Sequence, residues 1–308
     1  KQFHKVLKDY HLVIGAVPGF MGYEVLKEII LSGKNVVDIS FMPEDSKNFD
    51  KLAKDNNVIA ITDAGIAPGL SNLIFGKEIN EFTKLEVAKC YVGGLPQDPI
   101  EPWFYKSVFS PIDVIEEYTR PARLVENGKQ IIKPAMTDIE KKIFKGIGEL
   151  DAFNSDGLRS LLSLPIPNMV EKTLRFSGHI QKIIELKNNG KFEPGQMRNT
   201  AESLISEWAP KSSDYDQTIM KLEFEGYVNN EWSEKNYVLI DYYDHENSIT
   251  SMARTTGYTC TAIVNVLEKK LFNKTGVFNL EELGSNNKIF NEVIKHLEAR
   301  SVSFNKQI

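Results

Sequence analysis

Arginine is scarce in this chain, so its positions carry information. Of 37 basic residues only seven are arginine, at positions 120, 123, 159, 175, 198, 254 and 300, and the first 119 residues hold none. A lysine-favouring genome accounts for the shortage. It does not account for the arginines that remain, because a planar guanidinium grips a carboxylate in a bidentate way that lysine cannot copy. Arg120, Arg159, Arg175 and Arg254 stand in segments flanked by Gly, Pro or Thr. Two accounts are open for each. It grips a carboxylate-bearing substrate, or it pairs with a carboxylate of the chain and braces a loop.

Other residues of chemical interest lie close by. Asn154, Ser155 and Asp156 are good N-cap types for a helix starting near Gly157. Arg159 would then sit in the first turn, where the helix dipole disfavours a cation, so a specific anionic partner is expected. His179 opens a helical segment over 179–189, a place that draws its pKa down; a surface or capping histidine is the plain alternative. GAVPGFMG sets Gly15, Gly19 and Gly22 between a strand and a helix. The spacing is GxxxGxxG, not the dinucleotide GxGxxG. Pro18 stands where a backbone N–H would be wanted, and Asp38 is the nearest acidic residue to a ribose position.

The elements that must hold these residues follow from periodicity. Segments 11–17, 35–40 and 57–65 read as strands, and 21–34 and 46–56 as helices between them. Such close alternation predicts parallel βαβ units in an open α/β sheet. The loops GAVPGF, DISFMPED and TDAGIAPG then follow the carboxyl ends of three strands, where open α/β sheets bind ligands. From Thr83 the texture changes. LEVAKCYVGG is strand-like, and 97–111 is a loop rich in proline and aromatics. Helices are expected over 139–147, 157–164 and 179–189. Segments 218–228 and 236–244 form an antiparallel hairpin, and helices are expected over 259–272 and 287–300. This second part reads as α+β with a half-exposed antiparallel sheet.

Composition excludes several classes. A net charge of −5 argues against nucleic-acid binding driven by bulk positive charge. The only cysteines, Cys90 and Cys260, lie far apart, which excludes a disulfide scaffold and a cysteine-rich zinc site and fits a cytoplasmic setting. No metal site is expected. No apolar run approaches the roughly 20 residues that span a bilayer, so no membrane partner is expected. At about 150 residues per domain, 308 residues suggest two domains.

Three segments resemble the saccharopine dehydrogenase-like family in combination. They are NVVDISFMPED with DNNVIAITDAGIAPGLSNLIFG (35–76), FNSDGLRSLL with EKTLRFSGHIQKI (153–183), and SMARTTGYTCTAIVNVL (251–267). The likeness runs from about Tyr10 to Ser303 and is greatest to the bacterial branch that includes lysine 6-dehydrogenases beside saccharopine dehydrogenases. It implies an NAD- or NADP-dependent oxidoreductase acting on a C–N bond of lysine or a lysine adduct, by hydride transfer through an imine. The fold implied is α/β, a partial Rossmann-type parallel sheet plus an α+β catalytic domain with an antiparallel sheet. The corresponding boundaries are 1–80 for the Rossmann part, 81–250 for the substrate and dimerisation domain, and 251–308 for helices packing back on the Rossmann part. The resemblance also implies a small-molecule amino-acid substrate and a homodimer.

Carried over residue by residue, the resemblance places Ala16, Val17 and Pro18 at the cofactor, with Ser40 and Phe41 at the next strand end. Asp63, Ala64 and Gly65 would lie near the nicotinamide and substrate, and Asp156, Arg159, Arg175 and His179 would face the cleft from the second domain. The chemistry needs a proton acceptor and a water activator. Asp63 and His179 are the candidates. Arg159 and Arg175 are candidates for the substrate carboxylate, and Tyr105 for a wall of the amino-acid pocket. In the family a strand like HLVIGAV is about the fourth of the sheet, after a glycine loop and an acidic residue for the ribose. The opening at Lys1 therefore leads us to expect only the latter part of a nucleotide-binding domain. The rival expectation is a non-catalytic homologue, a binding or dimerisation module that has lost its nucleotide loop. A reductase of diamines or carboxy-polyamines on the same fold is a third.

Overall fold

The computed structural model describes residues 2–307. The chain divides into two compact units. The segment up to Glu81 joins Thr255–Val302, and Phe82–Arg254 joins the segment from Ser303.

The first unit opens with α1 (Gln2–Leu7), β1 (Leu12–Gly15), α2 (Gly19–Leu31) and β2 (Asn35–Asp38). A 3-10 turn (Ser46–Phe49) runs into α3 (Asp50–Asp55), followed by β3 (Ile59–Ile61) and α4 (Leu70–Glu81). The strands are parallel, with Gly15 opposite Asp38 and Val37 opposite Ile61. They are shorter than the periodicity suggested, because the Gly, Pro and Asp residues at their carboxyl ends leave the ladder. Leu26, Ile29 and Ile30 form one stripe of α2 and bury against Val36, Ala60, Phe49 and Ala53. This core holds α2 on the sheet, and the strands' carboxyl ends pass into loops.

The second unit contains β4 (Lys84–Pro96), α5 (Pro111–Thr119), β5 (Ala122–Glu126), β6 (Lys129–Lys133), β7 (Glu140–Phe144) and β8 (Gly148–Asn154). After a 3-10 turn (Arg159–Ser163) come β9 (Asn168–Phe176), α6 (His179–Asn188), α7 (Met197–Trp208), β10 (Asp216–Val228) and β11 (Glu231–Tyr242). The long antiparallel ladder of β10 and β11 sets Met220 against Leu239, as alternation predicts. Two expected helices are corrected. Segment 139–147 is β7 and its turn, paired with β8 so that Lys142 opposes Leu150. Its burial alternates, with Phe144 buried and Ile143 exposed, which is a strand period rather than a helical one. Segment 157–164 forms only a 3-10 turn. Arg159 has a φ of 50°, outside the helical region, and Pro165 and Pro167 prevent any extension.

The chain continues with α8 (Ser251–Glu268), β12 (Gly276–Phe278), α9 (Leu280–Gly284), α10 (Asn287–Glu298) and β13 (Phe304–Gln307). In the first unit β12 lies parallel to β3, giving the order β1-β2-β3-β12. In the second, β13 adds antiparallel to β11, and the main path runs β13-β11-β10-β4-β9-β5-β6 with β8 on β9 and β7 on β8. The helix expected over 259–272 begins earlier, at Ser251. Asp216 of β10 supplies its start, accepting from Ser251 N at 2.7 Å and Met252 N at 2.9 Å. Among the described residues no helix is long and apolar enough to cross a membrane.

Candidate functional site

The carboxyl ends of β1, β2 and β3 share one edge of the parallel sheet. Ala16 and Pro18 follow β1 and are exposed, while Val17 and Phe41 are half-buried. Asp38 is fully buried, and its carboxylate accepts from Ser40 N at 2.7 Å and Ser40 Oγ at 3.4 Å. It lies so close to β1 that a Cβ on Gly15 would fall 1.8 Å from Asp38 Oδ2. A Cβ on Gly22 would fall 2.7 Å from that of Ser40. These two glycines of GAVPGFMG are thus required by packing, Gly15 on the end of β2 and Gly22 on the loop after it. Asp38, turned inward, is not presented to a ribose.

The loop after β3 is held from several sides. Ala64 N donates to Asp38 O at 2.9 Å, and the hydroxyls of Thr62 and Ser46 meet at 2.8 Å. Asp63 is buried and holds a φ of 55°. A left-handed backbone is uncommon outside glycine and marks a constraint that the surroundings enforce. Gly65 and Gly69 approach closely, and Ala67–Pro68 is a cis peptide. On the α8 side, a Cβ on Gly65 would lie 3.4 Å from the Thr256 methyl. Burial, with Asp38 nearby, pushes the Cys260 thiol up to about 12.

The second unit gathers a different set of groups. Arg175 of β9 is 1% exposed. Its Nη2 donates to Glu117 Oε2 at 2.6 Å, its Nε to Tyr118 Oη at 3.0 Å and its Nη1 to Leu174 O at 2.9 Å. The guanidinium lies 4.6 Å from the centre of the Tyr105 ring. Tyr118 Oη is 2.9 Å from His179 Nε2, and His179 Nδ1 is 2.8 Å from Trp103 O. A carbonyl only accepts, so Nδ1 carries the ring proton and Nε2 accepts from the Tyr118 hydroxyl. The Tyr118 oxygen in turn accepts from Arg175. Burial, then the charge of Arg175, lowers the His179 pKa to about 3 against the pull of Trp103 O, so the ring stays neutral. Burial pushes the Tyr105 phenol up to about 12. Burial also raises the Glu117 carboxyl, with Arg175 opposing it and Asp113 adding to the rise. Trp208 closes the cluster, its ring 5.3 Å from Tyr105 and 5.8 Å from His179.

The remaining predicted residues lie elsewhere in the second unit. Asp156 is not an N-cap. It accepts from Arg123 Nε at 2.8 Å, Nη2 at 2.9 Å and backbone N at 3.1 Å. Arg159 opens the 3-10 turn and is half-buried. Arg120 pairs with Glu116 one turn earlier on α5, and Arg254 with Asp241 at 3.1 Å and Asp244 at 2.8 Å. Internal pairing is thus what Arg120, Arg175 and Arg254 show. Tyr105, Arg175 and His179 come together, whereas Asp156 is engaged by Arg123. Glu117, Tyr118, Trp103 and Trp208 went unnoticed in the sequence. A signal existed: Val114, Ile115 and Tyr118 have helical spacing and bury one face of α5.

The Saccharopine dehydrogenase C-terminal domain family matches residues 65–302. The chain is 28% identical over 194 residues to a Saccharopine dehydrogenase [NADP(+), L-glutamate-forming] of Pyricularia oryzae, covering 59% of this chain and 43% of that protein. It is 28% identical over 136 residues to the mitochondrial Alpha-aminoadipic semialdehyde synthase of Mus musculus, covering 42% of this chain and 15% of that protein. The chain thus spans less than half the length of these curated relatives. Its fold is similar to apo saccharopine dehydrogenase (L-Glu forming) from Saccharomyces cerevisiae, with TM-score 0.81 and 16% identity over 99% of this chain and 86% of that one. It is also similar to homospermidine synthase from Legionella pneumophila in complex with NAD, with TM-score 0.63 and 12% identity over 96% of this chain and 75% of that one. At those identities the likeness to the solved structures is one of fold.

Proposed function

The chain belongs to the saccharopine dehydrogenase C-terminal domain family, and from that premise we propose that it serves an NAD- or NADP-dependent dehydrogenation at a carbon–nitrogen bond of lysine or a lysine adduct. The observation that carries this reading is the carboxyl edge of the parallel sheet, where Ala16–Pro18, Ser40–Phe41 and Asp63–Gly65 gather on loops after three adjacent strands.

The residues present fit one end of a nicotinamide dinucleotide. Exposed Ala16 and Pro18 with half-buried Val17 and Phe41 give an apolar strip, and no acidic side chain stands in the first turn of α2. Ala16, Val17, Pro18, Ser40, Phe41, Ala64 and Gly65 would hold it. Gly15 and Gly22 are taken up by packing, so GAVPGFMG is not assigned to the pyrophosphate. When bound, the cofactor supplies a hydride acceptor for the carbon that bears the amine.

The chain's own residues supply the rest in this reading. The Asp63 carboxylate takes the proton that the substrate nitrogen gives up. Arg159 and Arg175 are the arginines proposed for the substrate carboxylate. His179 is a neutral, fully hydrogen-bonded ring, so its part is to orient Tyr118 and through it Arg175. Tyr105 covers one guanidinium face as a wall of the amino-acid pocket. A homodimer is part of the same proposal.

The test is spectrophotometric. The complete protein is mixed with L-lysine, saccharopine or related ω-amino acids and with NAD+ or NADP+, and the reduced cofactor is followed. Turnover with one of them is expected. No turnover with any, together with no nucleotide binding by calorimetry, would replace the enzyme by the binding-module reading.

A further inference from the structure

The loop from Asp63 to Gly69 packs on itself. Leu70 N donates to Gly65 O at 2.9 Å and Ser71 N to Ile66 O at 3.0 Å. Gly69 has a φ of 143°, and a Cβ there would fall 1.9 Å from Gly65 O, so the two ends of the loop cannot shift independently. Whatever holds Gly69 therefore bears on Asp63. Asn72 holds it from inside α4. This residue is the third of the helix and 1% exposed. Its Oδ1 accepts from Gly69 N at 3.1 Å and from Ser71 Oγ at 3.1 Å, reaching back to the residue before the helix as the third position of a capping box does. Its Nδ2 donates to Glu281 Oε2 at 3.0 Å, across 209 positions of the chain. Glu281 is buried in the first turn of α9. Two glycines bring the backbones of α4 and α9 together. A Cβ on Gly76 would fall 1.9 Å from Glu281 O, and one on Gly284 2.0 Å from Leu73 O. The Glu281 carboxylate thus extends from a helix that is itself seated on α4.

We propose that Asn72 and Glu281 are positioning residues for Asp63, α9 holding the Asp63–Gly69 loop through the Asn72 carboxamide. A carboxamide suits the middle of this relay, because one end accepts from a backbone N–H and the other donates to a carboxylate. The proposal rests on the reading that Asp63 takes the substrate's proton.

The complete protein is compared with Asn72→Asp, Glu281→Gln and the double variant, kcat being measured well below the melting temperature of each. Asn72→Asp removes the donor and sets a carboxylate against Glu281. Its kcat is expected to fall at least about ten-fold while KM for the amino acid changes less than about two-fold. Glu281→Gln keeps an acceptor and loses less. In the double variant donor and acceptor exchange sides, and most of the loss is regained. An unchanged kcat in Asn72→Asp, as a merely structural role requires of the folded protein, overturns the proposal. So does a double variant no better than Asn72→Asp. Should Asn72→Asp not fold, Glu281→Ala decides, a kcat at least about ten-fold lower supporting the proposal and an unchanged one overturning it. A wild type that turns over no substrate counts against the dehydrogenase reading alone. Amide exchange at Gly69 and Leu70 then decides: faster exchange in Asn72→Asp that slows again in the double variant supports the relay, and equal exchange in all three proteins overturns it.

Discussion

The Tyr118 hydroxyl stands between two groups with opposite needs. Arg175 Nε–H requires an acceptor and His179 Nε2 requires a donor, and one hydroxyl serves both. Tyr118→Phe would leave both unsatisfied in a buried setting, and we expect a loss of about 2–4 kcal/mol in urea unfolding. His179 adds a pH signature. The folded state keeps the ring neutral down to about pH 3, whereas the unfolded chain titrates near its ordinary value of 6.5. Below 6.5 the unfolded state binds a proton that the folded state refuses. This contribution to stability is therefore complete above pH 6.5 and is lost as pH falls toward 3. At pH 5 the loss is on the order of 2 kcal/mol relative to pH 8. His179→Gln should lose that much less between the two pH values, and an equal loss in both proteins would contradict the assignment. Asp63 makes a separable case. Asparagine tolerates its φ of 55° and alanine does not. Asp63→Asn should keep its melting temperature and lose about 10²-fold or more in kcat, while Asp63→Ala should also lose about 1–2 kcal/mol of stability. Unchanged kcat in Asp63→Asn would remove it as the proton acceptor.

At the scale of elements, local period and long-range pairing made different demands. The β10–β11 ladder and α10 follow their hydrophobic spacing, because each buries one face along its own length. The β7–β8 hairpin does not follow from its lysine-rich residues. Its alternation becomes meaningful only once β8 lies beside it, itself fixed on β9 with Phe153 opposite Thr173. The start of α8 depends on a carboxylate 35 residues earlier in the chain, and no local pattern announces it. Asp216→Ala should fray this helix terminus at a cost of about 1–2 kcal/mol, and Asp216→Asn should recover part of it. Unfolding midpoints and amide exchange at Ser251 and Met252 would read the effect; exchange unchanged in Asp216→Ala would show that the cap is not needed.

For the molecule as a whole, the nucleotide proposal has a direct consequence. A ligand that binds only the folded state stabilises it, by about 2.7 kcal/mol at a hundred times its dissociation constant. NAD+ or NADP+ should therefore raise the melting temperature of the complete protein, and calorimetry should show which of the two does so at lower concentration. No shift with either would count against a cofactor at the carboxyl edge of the first unit's sheet. Much of that edge was legible beforehand. Strand, loop and helix alternate within a few residues, and Gly, Pro and Asp mark where each strand stops, so the parallel sheet and the gathering of these loops at its carboxyl edge follow from local chemistry. The motifs also carried the family. Which carboxylate each arginine holds was not legible. Arg175 finds Glu117 at a distance of 58 positions and Asp156 finds Arg123 at 33. A guanidinium accepts any carboxylate of suitable geometry, so its partner is settled only when the strands and α5 are packed. The same holds for Gly15 and Gly22. Glycine permits a close approach by any neighbour, and the fold alone decided that Asp38 at the end of β2 meets Gly15 and Ser40 of the following loop meets Gly22.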